Sequence, residues 1–280
     1  RSLFPRRLIL VCISCCGVLA ASNGYAIPEN QPGIESAEFI YESAPFPACH
    51  AATLVETKEG LLAAWFGGTH ERHPDVGIWT ARYQDGKWSE PVEVANGVES
   101  DELRYPTWNP VLFQPQAGPV MLFYKVGPTP SDWWGMVMTS EDEGKTWSEP
   151  TRLPEDILGP IKNKPIQLAD GTIISPSSTE HDGWRVHFET STDGGKTWQA
   201  SQAVNDGEKI RAIQPSILQY NNNRLQALGR TRSSGIFQIW SEDGGKSWGE
   251  MSLIPLPNPS AGTDAVTLAD GRQLLVYNHN

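Results

Sequence analysis

Short runs of alternating apolar and polar residues, separated by Gly- and Asp-rich turns, recur along the chain from residue 50 onward. In one repeat, Pro165–Leu168 leads to the turn Asp170-Gly171, and Thr172–Pro176 follows. Trp184–Thr190 comes next, and its alternation predicts a half-buried strand. A Gly-rich turn and a short strand after Trp198 close the unit. The same order restarts near Ala51, Asn109, Ile213 and Thr263. Outside an apolar N-terminal run, no stretch carries a helical period. Four antiparallel strands in each repeat of roughly 40–50 residues is the pattern of a β-propeller.

The Gly-rich turns share one template, S-x-D-x-G-x-[ST]-W. It fits Ser140 to Trp147, Ser191 to Trp198 and Ser241 to Trp248, whose tryptophans are 51 and 50 residues apart. A shortened relative, Tyr83-Gln84-Asp85-Gly86-Lys87-Trp88, ends 59 residues before the first. Ser and Asp can cap backbone N–H groups, Gly accepts positive φ, and Trp supplies a large apolar body. These turns therefore read as structural clasps on the periphery. Blades start near residues 50, 108, 163, 213 and 262. That spacing predicts roughly one and a half further blades beyond Asn280. Residues 37–41 read as a strand that completes the last blade.

The chain has 280 residues and a net charge of −11. Its first 26 residues carry Arg1, Arg6 and Arg7, and the remainder holds 19 Lys+Arg against 33 Asp+Glu, a net charge of −14. So acidic a body is a poor match for nucleic acid, which requires a basic face. Arg6-Arg7, the apolar run Leu8–Ala21 and the tripeptide Gly24-Tyr25-Ala26 read as an export signal cleaved after Ala26. Residues 27–280 are then the propeller, expected as a periplasmic or extracellular monomer. No later stretch is long and apolar enough to cross a bilayer. Beyond residue 26 only Cys49 remains, which excludes an internal disulfide and a cysteine metal cluster.

The three boxes resemble the Asp-boxes, or BNR repeats, of the bacterial sialidase (exo-α-neuraminidase) superfamily. Within it, the branch labelled predicted neuraminidase is similar in Cys49-His50-Ala51-Ala52-Thr53, Ala64-Trp65-Phe66-Gly67-Gly68-Thr69 and Gly159 to Pro165. Gln214-Pro215-Ser216-Ile217-Leu218 and Leu274 to Asn280 extend the likeness. The resemblance implies a six-bladed propeller with an axial pocket. It also implies arginines on a sugar carboxylate, an Asp acid/base, and a Tyr nucleophile assisted by Glu. A neutral Tyr avoids the repulsion that a carboxylate nucleophile would meet from an anionic substrate. Carried over residue by residue, Asp75 stands where the family has its acid/base. Its plainer reading is a turn Asp that caps the next strand. Arg72 shares that loop. His50 stands where the first arginine is expected, Arg230 matches the second, and Gln214 replaces the Glu. A glutamine cannot act as a base, so Tyr activation of the sialidase kind is not implied.

Other residues are candidate glycan contacts. Trp133 and Trp134 occupy the equivalent loop of the second blade, with one of the two expected in the core. Lys162 and Lys164 enter the third blade, where a cation can pair with a carboxylate. Glu180 lies in the mouth loop of the third blade beside His181, and Asp264 enters the fifth. His70 and His73 with Glu71 and Asp75 do not have the helical spacing of a metal site, so no metal or cofactor is expected. The reading is a secreted glycosidase acting on acidic or complex glycans. Two alternatives stand beside it. One is a propeller lyase of uronate polymers, using Arg230 or Lys164 as the neutralising cation and His50 as the base. The other is a non-catalytic glycan-binding propeller.

Overall fold

The computed structural model describes residues 9–11 and 36–279. Apart from Ile9–Val11, the segment expected to be an export signal lies outside the described residues. Four antiparallel sheets follow one another along the chain, each with its strands in sequence order. The first comprises Ala48–Thr57, Gly60–Gly68, Gly77–Gln84 and Lys87–Trp88, with Val92–Ala95 also paired to its third strand. The second comprises Thr107–Phe113, Val120–Val126, Trp134–Ser140 and Thr151–Arg152. The third comprises Ile166–Gln167, Ile173–Thr179, Arg185–Ser191 and Gln199–Ala200, each close to the run predicted from alternation. The fourth comprises Ala212–Gln219, Leu225–Thr231, Gly235–Ser241 and Ser252–Pro257. Asp264–Thr267 and Gln273–Val276 form a hairpin beside the fourth, joined where Gln219 N donates to Thr267 Oγ1 at 2.8 Å. The strand expected over 37–41 forms instead at Ser36–Glu38 and pairs in parallel with Ile9–Val11, outside every blade sheet described.

Packing occurs between blades. Leu62, Phe66 and Ile78 of the first blade share a core with Leu112, Leu122 and Tyr124 of the second. Ile174, Val186 and Phe188 of the third meet Ala227, Phe237 and Ile239 of the fourth. Both faces of Thr107–Phe113 and Val120–Val126 are covered, so every residue in them is buried. Their sequences are consequently more continuously apolar than an alternating strand.

The boxed turns show why the blades stay together. In each, the Ser hydroxyl donates to the Asp carboxylate and accepts the fifth-position Gly N–H; for Ser191, Asp193 and Gly195 both distances are 2.8 Å. The same Asp receives the Thr197 hydroxyl at 2.6 Å. Ser140/Asp142 and Ser241/Asp243 repeat this geometry. Each box Trp then reaches back to the preceding blade. Trp198 meets Phe123 edge-on at 6.0 Å, and Trp248 stacks on Phe188 at 3.9 Å. The fifth-position glycine faces the same way. A Cβ on Gly195 would sit 2.6 Å from Met121 Cε, and one on Gly245 would sit 2.7 Å from Ile174 Cδ1.

Gly195→Ala is therefore expected to destabilise the chain by about 1–3 kcal/mol, because it combines a left-handed backbone (φ 90°) with displacement of the flexible end of Met121. Gly194→Ala has a similar φ of 76° but open space around its Cβ, and should cost only about 1 kcal/mol. Parallel denaturant melts of the two variants check the difference.

Candidate functional site

Up-and-down blades sort their connections by end. The boxes join third to fourth strands at one end. The loops joining second to third strands, and the links from one blade to the next, lie at the other. Asp75, Trp133, Glu180 and Lys162 all belong to this second set, which forms a mouth around the inner strands.

The inner strands are bent there by a repeated bulge. Register shifts fall between His50 and Thr53, Trp108 and Val111, and Ile213 and Ser216. Each contains one residue with positive φ: Ala51 (55°), Asn109 (37°) and Gln214 (57°). A bulge adds a residue to one strand and re-aims its neighbours. Gln214 is held by its backbone, with its N–H donating to Ser178 Oγ at 3.1 Å and its C=O accepting Asn163 Nδ2 at 3.0 Å. Among the described residues, its side-chain amide has no hydrogen-bond partner.

A cluster of cations gathers beside Gln214. Lys162 Nζ donates to Asn163 Oδ1 and to the Thr263 carbonyl, both at 3.1 Å. A Cβ on Gly262 would lie 2.9 Å from Lys162 Cε, so a bare backbone lets that side chain through. Lys164 Nζ is 3.9 Å from Asp264 Oδ2, whose other oxygen accepts Ser216 Oγ at 3.2 Å. Burial lowers the Lys162 pKa, Asp264 opposes that, and Lys164 and Arg230 reinforce it. Arg230 donates to the Ser260 carbonyl at 2.9 Å and lies 5.1 Å from the Trp184 ring centre, with Arg232 at 4.3 Å from the same ring. Burial also draws the Arg230 pKa down; Glu180 and Glu71 counter it, and Arg232 adds to it. Its buried Nε has no partner among the described residues. The structure thus brings together Arg230, Lys162, Lys164, Asp264, Glu180 and Gln214. It does so from the third blade and the link that enters it, the fourth blade, and the following hairpin.

Asp75 sits in the loop whose Glu71 acts on Arg230. Its Oδ1 accepts Thr69 N at 3.0 Å and its Oδ2 accepts Thr69 Oγ1 at 2.6 Å, so the carboxylate closes its own loop. His73 Nδ1 lies 2.7 Å from Oδ1, and Arg104 donates to the Asp75 carbonyl at 2.8 Å. A Cβ on Gly68 would come within 2.6 Å of Asp75 Oδ1, which makes Gly68 a strand-end glycine of close approach rather than a turn glycine. Burial works to raise the carboxyl pKa, but Thr69 and His73 outweigh it and hold it below the usual carboxylate value. Free Asp75 is therefore ionised at neutral pH. With 42 % of its side chain exposed, it remains open to a ligand.

The remaining candidates are more dispersed. His50 is exposed and stacks on Phe66 at 5.6 Å, while its neighbour Cys49 is buried and accepts the Tyr41 hydroxyl at 3.0 Å. Arg72 is exposed with φ 75°, and its guanidinium has no hydrogen bond among the described residues. Trp134 opens a strand and packs into the core between the first two blades, beneath Arg152 at 4.7 Å. Trp133 leans edge-on against buried Trp108 at 5.9 Å. The sequence reading missed Thr69 and Arg104, which set the charge and place of Asp75, and Asn163, which ties Lys162 to Gln214. The recurring Asn109-Pro110, Lys164-Pro165 and Gln214-Pro215 pairs were the available signal for the inner-strand positions.

A β-propeller with boxed turns and a cationic mouth defines the class. The chain belongs to the BNR repeat-like domain family, whose model matches residues 59–280, and with it to the bacterial sialidase superfamily. It is 26% identical over 245 residues to a sialidase of Micromonospora viridifaciens, covering 81% of this chain and 33% of that protein. It is 30% identical over 163 residues to a sialidase of Bacteroides fragilis, covering 50% of this chain and 28% of that protein. The chain thus spans about a third of the length of these relatives. Among solved structures, the NanB sialidase of Streptococcus pneumoniae superposes with a TM-score of 0.68 at 15% identity, over 84% of this chain and 57% of that one. A protein of unknown function from Dyadobacter fermentans also gives 0.68, at 20% identity, over 82% and 74%. An α-L-arabinofuranosidase of Fusarium graminearum gives 0.59 at 18% identity, over 82% and 74%. These structural likenesses establish the fold.

Proposed function

We propose that this chain belongs to the propeller of an exported, sialidase-like glycoside hydrolase that removes an anionic sugar from the end of a glycan. In this reading the ring has six blades, residues 1–26 are an export signal, and the hydrolase works as a monomer. The observation that carries it is the cationic mouth in a chain of net charge −11. Arg230, with its unpartnered buried Nε, stands with Lys162 and Lys164 as a group of cationic side chains suited to a carboxylate. Asp75, on the loop facing Arg230, supplies the proton to the leaving oxygen.

Incubation with sialyllactose tests this, with released acidic sugar as the readout. Arg230→Met is expected to raise KM for that substrate roughly 10–100-fold, as for a lost charged hydrogen bond. An unchanged KM would remove Arg230 from carboxylate binding.

A lyase of uronate-containing glycans is the second reading, favoured by Gln214 standing where a hydrolase of this kind would hold a Glu. A lyase abstracts the proton beside a carboxylate neutralised by Arg230 or Lys164 and breaks the C–O bond to the glycosidic oxygen, which departs protonated with the rest of the chain and leaves an unsaturated product that absorbs in the ultraviolet. Oligogalacturonate incubated under the same conditions separates the two readings by product.

A further inference from the structure

A second cleft, of about 530 Å³, opens on the mouth end between the second and third blades. One wall is the Pro130–Trp133 loop, the other is Glu155, Asp156 and Leu158, and Thr179, His181 and His187 of the third blade complete it. We propose that this cleft is a saccharide subsite that takes an uncharged or amino-bearing sugar unit, rather than an acidic one. Its volume falls within the range of small-ligand sites.

Three features point to a sugar. Trp133 offers an aromatic surface, and it is a rigid one. It leans on Trp108, which is buried and locked by its Nε1 donating to the Gly127 carbonyl at 2.8 Å. Such a platform suits the apolar C–H face of a pyranose. Around it stand groups that hydrogen-bond hydroxyls: Asp132, Thr179 and His187. Asp132 is steadied by the Thr129 hydroxyl at 2.7 Å, and His187 by Glu189 Oε1 at 3.2 Å. His187 is therefore a preset polar contact at the base of the cleft, with one ring nitrogen committed to Glu189 and the other left for a ligand.

Charge decides which sugar. The walls carry the carboxylates of Asp132, Glu155 and Asp156, and no Lys or Arg lines the cleft. A few residues away, Arg230, Lys162 and Lys164 give the opposite sign. The two sites are contiguous, because Glu180, which acts on Arg230, lies between the cleft residues Thr179 and His181. A sugar acid is thus drawn to one and repelled from the other. On the hydrolase reading proposed above, the cleft receives the neutral neighbour of an anionic end unit, and a run of consecutive acidic sugars is disfavoured.

The test is a binding titration on the full chain with N-acetyllactosamine, N,N′-diacetylchitobiose and digalacturonate, followed by ligand-observed NMR. The first two should bind at millimolar levels and digalacturonate at least tenfold more weakly in the presence of saturating sialic acid, which occupies the cationic mouth. Trp133→Ala should weaken the neutral disaccharides at least tenfold with an unchanged far-ultraviolet spectrum, and Trp133→Phe should recover part of the loss. The double variant Glu155→Gln/Asp156→Asn, which leaves the Trp platform intact, should narrow the gap between neutral and acidic ligands. Neutral disaccharides that bind Trp133→Ala as well as the parent chain would overturn the subsite, as would equal affinity for digalacturonate. Failure of the hydrolase is separately visible. Trp133-dependent binding with no cleavage of sialyllactose would sink that reading and leave the cleft standing.

Discussion

Asp75→Asn is expected to lower turnover of a natural glycan by about 10²–10⁴-fold, the usual worth of a positioned proton donor. The fold should survive, because Asn Oδ1 can still accept the Thr69 N–H and its Nδ2 can donate to the Thr69 hydroxyl oxygen, replacing the two bonds the carboxylate now accepts at 3.0 and 2.6 Å. The loss should shrink for aryl glycosides, whose leaving groups depart without protonation. A binding residue would penalise both substrates alike. Parallel kcat measurements on sialyllactose and an aryl sialoside decide it, and wild-type rates on both would remove Asp75 from the chemistry.

The ionised resting state of Asp75 adds a sign to this prediction. A general acid must be protonated to act, and here Thr69 and His73 hold the proton off in the free protein. A bound carboxylate nearby disfavours a second negative charge and so raises the Asp75 pKa. Activity lost on raising the pH should therefore fall away at higher pH in kcat, which reports the complex, than in kcat/KM, which reports the free protein. Thr69→Val removes the hydroxyl donor, so it should shift the kcat/KM limb upward. An unmoved limb would assign that titration to another group.

The propeller was legible because its elements are local. Alternation located the third blade's strands to within a few residues, and the boxes repeated often enough to fix the blade period. The site was harder to read, since its geometry comes from distant chain segments meeting at the mouth. Arg230, Lys162 and Asp264 are spread over about a hundred residues and meet only because inner strands converge. Nor could one sequence show the partners of Asp75. Thr69 was visible as the end of a Gly-Gly-Thr motif, but its two hydrogen bonds depend on how the loop closes. In the sequence His73 suggests only metal ligation, whereas its observed contact is to the carboxylate. Lys125 was the deepest omission: nothing in Phe123-Tyr124-Lys125-Val126 distinguishes a fully buried ammonium from a solvated one.

That buried lysine belongs to an arrangement on which the cationic mouth depends. Glu189 is fully enclosed and accepts Leu158 N at 2.8 Å and Gly159 N at 2.7 Å. Lys125 Nζ donates to the Pro160 carbonyl at 2.8 Å, one residue further along the same link. Together they pin the segment that delivers Lys162, Asn163 and Lys164. Glu189→Ala is expected to cost about 3–5 kcal/mol, because it strands two backbone N–H groups and leaves the Lys125 charge buried without its partner. Burial already draws the Lys125 pKa down from 10.5 to about 7, against the pull of Glu189. Between those values the unfolded chain binds more protons than the folded one, so this lysine's contribution to stability improves as pH rises through that interval. It should improve from a still lower pH in Glu189→Ala, where the counter-charge is gone. Lys125→Met should flatten that dependence, and Lys125→Met combined with Glu189→Gln should recover much of the stability lost by Glu189→Ala. Denaturant melts across this pH range supply both readouts. A Glu189→Ala chain as stable as the parent, with sugar-acid affinity intact, would show that the link to Lys162 holds its place without these two buried groups.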